Sequence, residues 1–101
     1  MSGSSRSSEG LDPRRRKILY RSWHRGTREM DLILGPFADA HIGQFDASEL
    51  DAMELLIESP DRELYAWLTG AEATPAHIDG PLWRSLKYFH TRDRAMDIFA
   101  S

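Results

Sequence analysis

The segment Trp23-His24-Arg25-Gly26-Thr27-Arg28-Glu29-Met30-Asp31 gathers the side chains of this chain best suited to recognition around a single glycine. Arginine and tryptophan are the residue types enriched at binding hot spots, and guanidinium and carboxylate groups make the strongest, charge-assisted hydrogen bonds. Gly26 has no Cβ, so another chain can approach its backbone closely. A plainer reading stands beside this one. With Gly26 as the N-cap of a helix, Glu29 would occupy the third helical position and bond back to the glycine amide. Arg25 would then neutralise the carbonyl end of the preceding helix. Capping in this form leaves Trp23 and Arg28 unexplained.

Catalytic patterns are missing elsewhere. The histidines at 24, 41, 77 and 90 lack the close helical spacing of a metal site, and no phosphate-cradling loop, nucleophile elbow or Gly-x-Gly-x-x-Gly occurs. With no cysteine, thiolate zinc, iron–sulfur and thiol chemistry drop out, as do disulfides, which fits a reducing compartment. The carboxylates fall on the expected outer faces of helices, where solvation is their ordinary role. An enzyme is not expected.

The 101 residues allow one domain with a modest core. Charge is distributed unevenly. Residues 1–28 carry eight Lys/Arg against two acids, residues 29–83 carry twelve acids against Arg62 alone, and residues 84–101 carry four bases against two acids. Such a dipole along the chain points to a solvated surface or a steered partner. A basic helix, a turn and a second helix resemble a nucleic-acid reader, but an acidic middle segment on so small a body repels phosphate within a Debye length of about 8 Å. No apolar run reaches the roughly 20 residues that span a bilayer. The serine-rich start has neither the apolar stretch of a secretory signal nor the amphipathic pattern of a mitochondrial presequence. A bacterial cytoplasmic protein, monomeric and with no membrane or nucleic-acid partner, is the expectation.

Five helices must position the glycine turn. Asp12-Pro13 starts the first, which runs to about His24 with Ile18, Leu19 and Trp23 as its apolar stripe. Its first turn holds Arg14 to Lys17, where each cation opposes the helix dipole, and this points to an acidic surface facing the patch. The second begins at Gly26 or Thr27, with Met30, Ile33, Leu34 and Phe37 on one face and a kink expected at Gly35-Pro36. The third follows a capping box of Asp46 and Glu49, with Phe45 and Leu50 as a staple. The fourth takes Ser59 as its cap and Pro60 as its first residue, and ends at Gly70. The fifth opens at Gly80-Pro81. No segment shows the sustained alternation of a strand, so the fold expected is all-α, a compact five-helix bundle. A disordered tail over 1–11, a helical domain over 12–92 and a C-terminal tail over 93–101, frayed or helical, complete the organisation.

Arg25-Gly26-Thr27-Arg28-Glu29 resembles the Arg-Gly-x-x-Glu motif of the SdhE-type succinate dehydrogenase assembly factors. Met30-Asp31-Leu32-Ile33-Leu34-Gly35 is similar to that family's Leu-Asp-x-x-Leu-Gly continuation, and Phe37 and Ala38 agree. Leu64-Tyr65-Ala66-Trp67-Leu68-Thr69-Gly70 is similar to its Leu-Tyr-x-Trp-Leu-x-Gly segment, and Leu50 with Leu55-Leu56 fits its third helix. Pro36 departs from it, standing where other members often carry a basic residue. The resemblance spans roughly 14–90 and implies a dedicated chaperone. Such a protein binds the flavoprotein subunit of succinate dehydrogenase, with that of fumarate reductase as a further candidate partner, and promotes covalent attachment of FAD that the flavoprotein itself performs. It implies no stably bound cofactor, since the FAD belongs to the partner. The expected partner-binding residues are Trp23, Arg25, Gly26, Arg28, Glu29 and Asp31, with Arg25 and Glu29 bonding to the flavoprotein and Trp23 and Phe37 supporting the turn from the core side. The competing class is a helical adaptor or antitoxin-like binder.

Overall fold

Helix-forming segments separated by proline and glycine signals produce five α-helices in the computed structural model, which describes residues 10–100 and side chains as far as Thr91. They are α1 (Pro13–Trp23), α2 (Arg28–His41), α3 (Ala47–Glu58), α4 (Asp61–Thr69) and α5 (Pro81–Ala100), with a 3₁₀ turn at Ile42–Gln44 after α2. No strand occurs among the described residues, and the expected all-α bundle is what forms. The tail expected over 1–11 lies outside the described residues apart from Gly10 and Leu11, and Leu11 packs partly against the core. The helix α5 continues through the stretch expected to be frayed or helical.

Local chemistry sets the helix starts. Asp12 accepts the amide of Arg15 at the head of α1, with a proline in its first turn. Asp46 and Glu49 form the full capping box of α3, at 2.8 and 2.9 Å. Two starts differ from expectation by one residue: Thr27, not Gly26, caps α2, and Pro60, not Ser59, precedes α4. Gly70 ends α4 in the left-handed conformation, φ 83°. The helix α2 passes through Pro36 without interruption, since packing of Leu34, Phe37 and Ala38, all buried, offsets one lost backbone hydrogen bond.

The apolar stripes meet in one core. Ile18, Leu34, Phe37, Ile42, Met53, Leu56, Leu64 and Leu86 are almost fully enclosed. The main packing is of α1 against α2, with α3 and α5 closing the sides. By contrast α4 is peripheral, and Leu64 is its one buried residue.

The basic first turn of α1 does face an acidic surface, and it is the protein's own. Arg14 bonds Glu54 through Nε (3.1 Å) and Nη2 (2.7 Å), and Asp51 at 2.5 Å. Arg15 bonds Asp12 (2.6 Å) and the carbonyls of Ile42 (3.0 Å) and Phe45. Two of the four cations that cost the helix dipole are thereby spent within the fold, and Arg16 and Lys17 remain exposed.

Candidate functional site

The glycine turn is the corner between α1 and α2. Helix α1 stops at Trp23; His24 takes a non-helical φ of −129°, and its ring stacks on that of Tyr20 at 3.9 Å. Gly26 then adopts φ +108°, a conformation that L side chains rarely take. A Cβ there would meet nothing within 4 Å. The glycine is therefore required by the backbone and not by a neighbour inside the molecule, and the space before it is open to an incoming chain. Thr27 restarts the helix, its hydroxyl accepting the Met30 amide at 3.4 Å.

The motif's two charges go opposite ways. Arg25 turns inward: its side chain is 8% exposed and all three guanidinium nitrogens are used. Nε and Nη2 bond Asp61 at 2.8 and 2.7 Å, Nη2 also bonds the Ser59 carbonyl at 2.6 Å, and Nη1 bonds the Ile57 carbonyl. The helix α3 has no basic residue in its last turn, so Arg25 serves as the cation for that helix end, from a distant part of the chain. It also bridges to the first residue of α4, where Asp61 suits the positive end of that helix dipole. Neither expectation for Arg25 survives. It does not cap α1, and it is not displayed beside Glu29, because the unpaired carbonyls ending α3 together with Asp61 offer a better-satisfied position than solvent.

Glu29 stays outside. It sits at the second position of α2, not the third, so it does not reach back to the Gly26 amide. It is exposed and has no hydrogen bond or ion pair among the described residues. Its helix position, in the first turn, favours a carboxylate. Asp31 does the bracing instead, accepting the backbone N–H of Arg25 at 2.6 Å. Arg28 is exposed and, like Glu29, without a side-chain hydrogen bond or ion pair among the described residues.

Trp23 lies beneath the corner, 8% exposed. Its indole covers Gly35, where a Cβ would fall 2.4 Å from Cδ2 and 2.5 Å from Cε3. Only glycine lets α2 pass this close to the ring, so Gly35 and Trp23 set the approach of α1 to α2. Trp23 thus occupies the core-side supporting position, with Phe37 buried further along α2. Of the expected set, Gly26, Arg28 and Glu29 share the outer surface, and Trp23, Arg25 and Asp31 hold them there. Sequence reasoning missed Asp61 as the anchor of Arg25 and Gly35 as the seat of Trp23. A glycine inside a helical pattern signals close packing, and that clue to Gly35 was present.

No group of His, Cys, Asp or Glu among the described residues has the geometry of a metal site. No helix of the described residues is long and apolar enough to cross a membrane.

A family model described as "Flavinator of succinate dehydrogenase" matches residues 16–90. The chain belongs to this family. It is 38% identical over 85 residues to the FAD assembly factor SdhE of Acetobacter pasteurianus, covering 84% of this chain and 78% of that one. It is 37% identical over 84 residues to the mitochondrial succinate dehydrogenase assembly factor 2-A of Drosophila yakuba, and 34% identical over 94 residues to the mitochondrial succinate dehydrogenase assembly factor 2 of Danio rerio. These matches cover 81% and 91% of this chain but 52% and 59% of the relatives, so the chain spans little more than half the length of the mitochondrial proteins. No solved structure gives a significant match. The matched stretch contains the whole corner and all of its internal anchors, Trp23, Asp31, Gly35 and Asp61.

Proposed function

We propose that this flavinator-family protein binds the flavoprotein subunit of succinate dehydrogenase, one to one, and promotes its covalent flavinylation without being the catalyst. The observation that carries the reading is the split of the corner: Glu29 is exposed and, among the described residues, unpaired, beside an open glycine on a turn locked from within by Arg25. The backbone that carries this carboxylate is braced, so its place on the surface is set before binding and only the side-chain rotamer remains to be ordered. The bond to be made joins a flavoprotein histidine to the flavin. Misplacing reacting groups by about 1 Å costs on the order of a hundredfold in rate. A partner that prefers the productive arrangement shifts the flavoprotein toward it, to the extent of its differential affinity for the two states. The FAD is the flavoprotein's, and the compartment on this reading is the bacterial cytoplasm where that subunit takes up its flavin.

The test is flavinylation of the cognate apo-flavoprotein with FAD, read as covalent flavin fluorescence after denaturing electrophoresis. The wild-type protein should accelerate it and form a complex. Gly26→Arg and Glu29→Ala, with helicity unchanged, should each lose most of the acceleration. Absence of any complex with the wild type would overturn the reading, and recovery of a small toxin or membrane protein from the host instead would favour an antitoxin-like adaptor.

A further inference from the structure

Beside Glu29 the surface dips into an open groove of about 380 Å³ between the start of α2 and α4, lined by Thr27, Glu29, Met30, Asp61, Arg62 and Tyr65. Its chemistry is mixed. Met30, buried, and Tyr65, 45% exposed, both line the groove. Asp61 is already committed to Arg25, which leaves Glu29 and Arg62 as the groove's charges without a partner among the described residues, one negative and one positive. Arg62 is the single cation among residues 29–83, and it stands in this groove. Tyr65 follows it by three positions, on the same face of α4. Leu32, three positions along α2 from Glu29, is 54% exposed.

We propose that this groove, resting on the functional reading above, is the specificity-determining part of the flavoprotein interface. It receives a surface segment on which a basic side chain adjoins an acidic one. The basic group pairs with Glu29 and lies over the Tyr65 ring, where stacking and cation–π attraction favour a guanidinium. The acidic group meets Arg62. Opposite charges at two fixed points set the register of the bound segment and reject one of reversed order. Continuity with the open glycine corner assigns the groove to that partner, and the peripheral packing of α4 places Tyr65 and Arg62 where they reach it without disturbing the core.

Binding of Tyr65→Ala, Tyr65→Phe, Arg62→Glu and the control Tyr88→Ser to the cognate apo-flavoprotein, by calorimetry or biolayer interferometry, tests this. Circular dichroism checks each fold, and Tyr88 is exposed on α5 away from the groove. The expected result is at least tenfold weaker binding for Tyr65→Ala and Arg62→Glu, with Tyr65→Phe and Tyr88→Ser within threefold of wild type. If wild type binds, Glu29→Ala weakens it, and Tyr65→Ala and Arg62→Glu do not, the groove is excluded while the corner stands. Failure of the wild type to bind removes both. A dimer abolished by Arg62→Glu in analytical ultracentrifugation would assign the groove to a second copy and overturn the proposal.

Discussion

Two arginines tie the ends of α1 to the acidic half of the molecule, and they do so under opposite conditions. Arg14, at the head of the helix, bonds Glu54 and Asp51 with 38% of its side chain exposed, facing a carboxylate that is 72% exposed. Arg25, just past the tail, bonds Asp61 and two helix-end carbonyls at 8% exposure. Both make short contacts to carboxylates. Water screens the first and is largely excluded from the second. Counting ion pairs would rank Arg14, with two carboxylates, above Arg25, with one; burial reverses the order. Only the buried one adjoins Gly26, so Arg25 acts as the brace of the glycine turn.

Removing the brace should have the largest effect. Arg25→Ala leaves the carbonyls of Ile57 and Ser59 without their donor and the Asp61 carboxylate with only a long contact from the Thr27 hydroxyl, 3.4 Å, a loss of about 3 kcal/mol on the scale of broken buried pairs. For a domain of this size that lowers Tm by on the order of 10–20 °C, measurable by circular dichroism. Arg25→Lys should recover only part, since one ammonium cannot reproduce the planar three-nitrogen fork. A Tm unchanged in Arg25→Ala would show the contacts to be incidental. Gly35→Ala comes next. In a helix interior alanine ordinarily gains about 1 kcal/mol over glycine, but here the new methyl would overlap a rigid, buried indole. Overpacking of this kind costs about 1–3 kcal/mol, so the net sign should be destabilising. Trp23→Phe should relieve part of the overlap in the double variant, and additive effects would deny the contact.

The same contrast explains what could be read in advance. The capping box at Asp46, the glycine end at Gly70 and the apolar stripes of α1, α2 and α3 are local, each specified within a few residues, and they are where they were expected, whereas on α4 Tyr65, expected to pack, is 45% exposed. The destination of Arg25 is not local. Its acceptors Ile57, Ser59 and Asp61 lie more than thirty positions away, and nothing near the motif distinguishes a displayed guanidinium from one that caps another helix. The cap itself moved from Gly26 to Thr27 because φ +108° at the glycine belongs to the turn before the helix. Glu29 was legible as a free carboxylate, but Tyr65 and Arg62, which border the same groove, became visible only once α4 was placed beside α2.

At the head of α1 the expected effects are small and depend on solvent conditions. Arg14→Ala should lower Tm by less than about a third of the drop in Arg25→Ala, since exposed pairs contribute little, and 0.5 M salt should erase most of that difference while leaving the Arg25 deficit in place. The pH dependence gives a sharper separation. Hydrogen bonding to Arg14 holds the Glu54 carboxyl below its ordinary value, with burial opposing. A carboxyl depressed in the folded state adds stability above its unfolded pKa of about 4.3, and that stability is lost as pH falls through the lower folded value. The gap between wild type and Arg14→Ala should therefore be full near pH 6–7 and shrink progressively below about pH 4.5. Asp12, held low by Arg15, titrates in both proteins and cancels from the comparison. A gap that stayed constant down to pH 2 would mean that Arg14 stabilises through the packing of its aliphatic stem, and the contrast between the two arginines would then be one of contact area and not of screening.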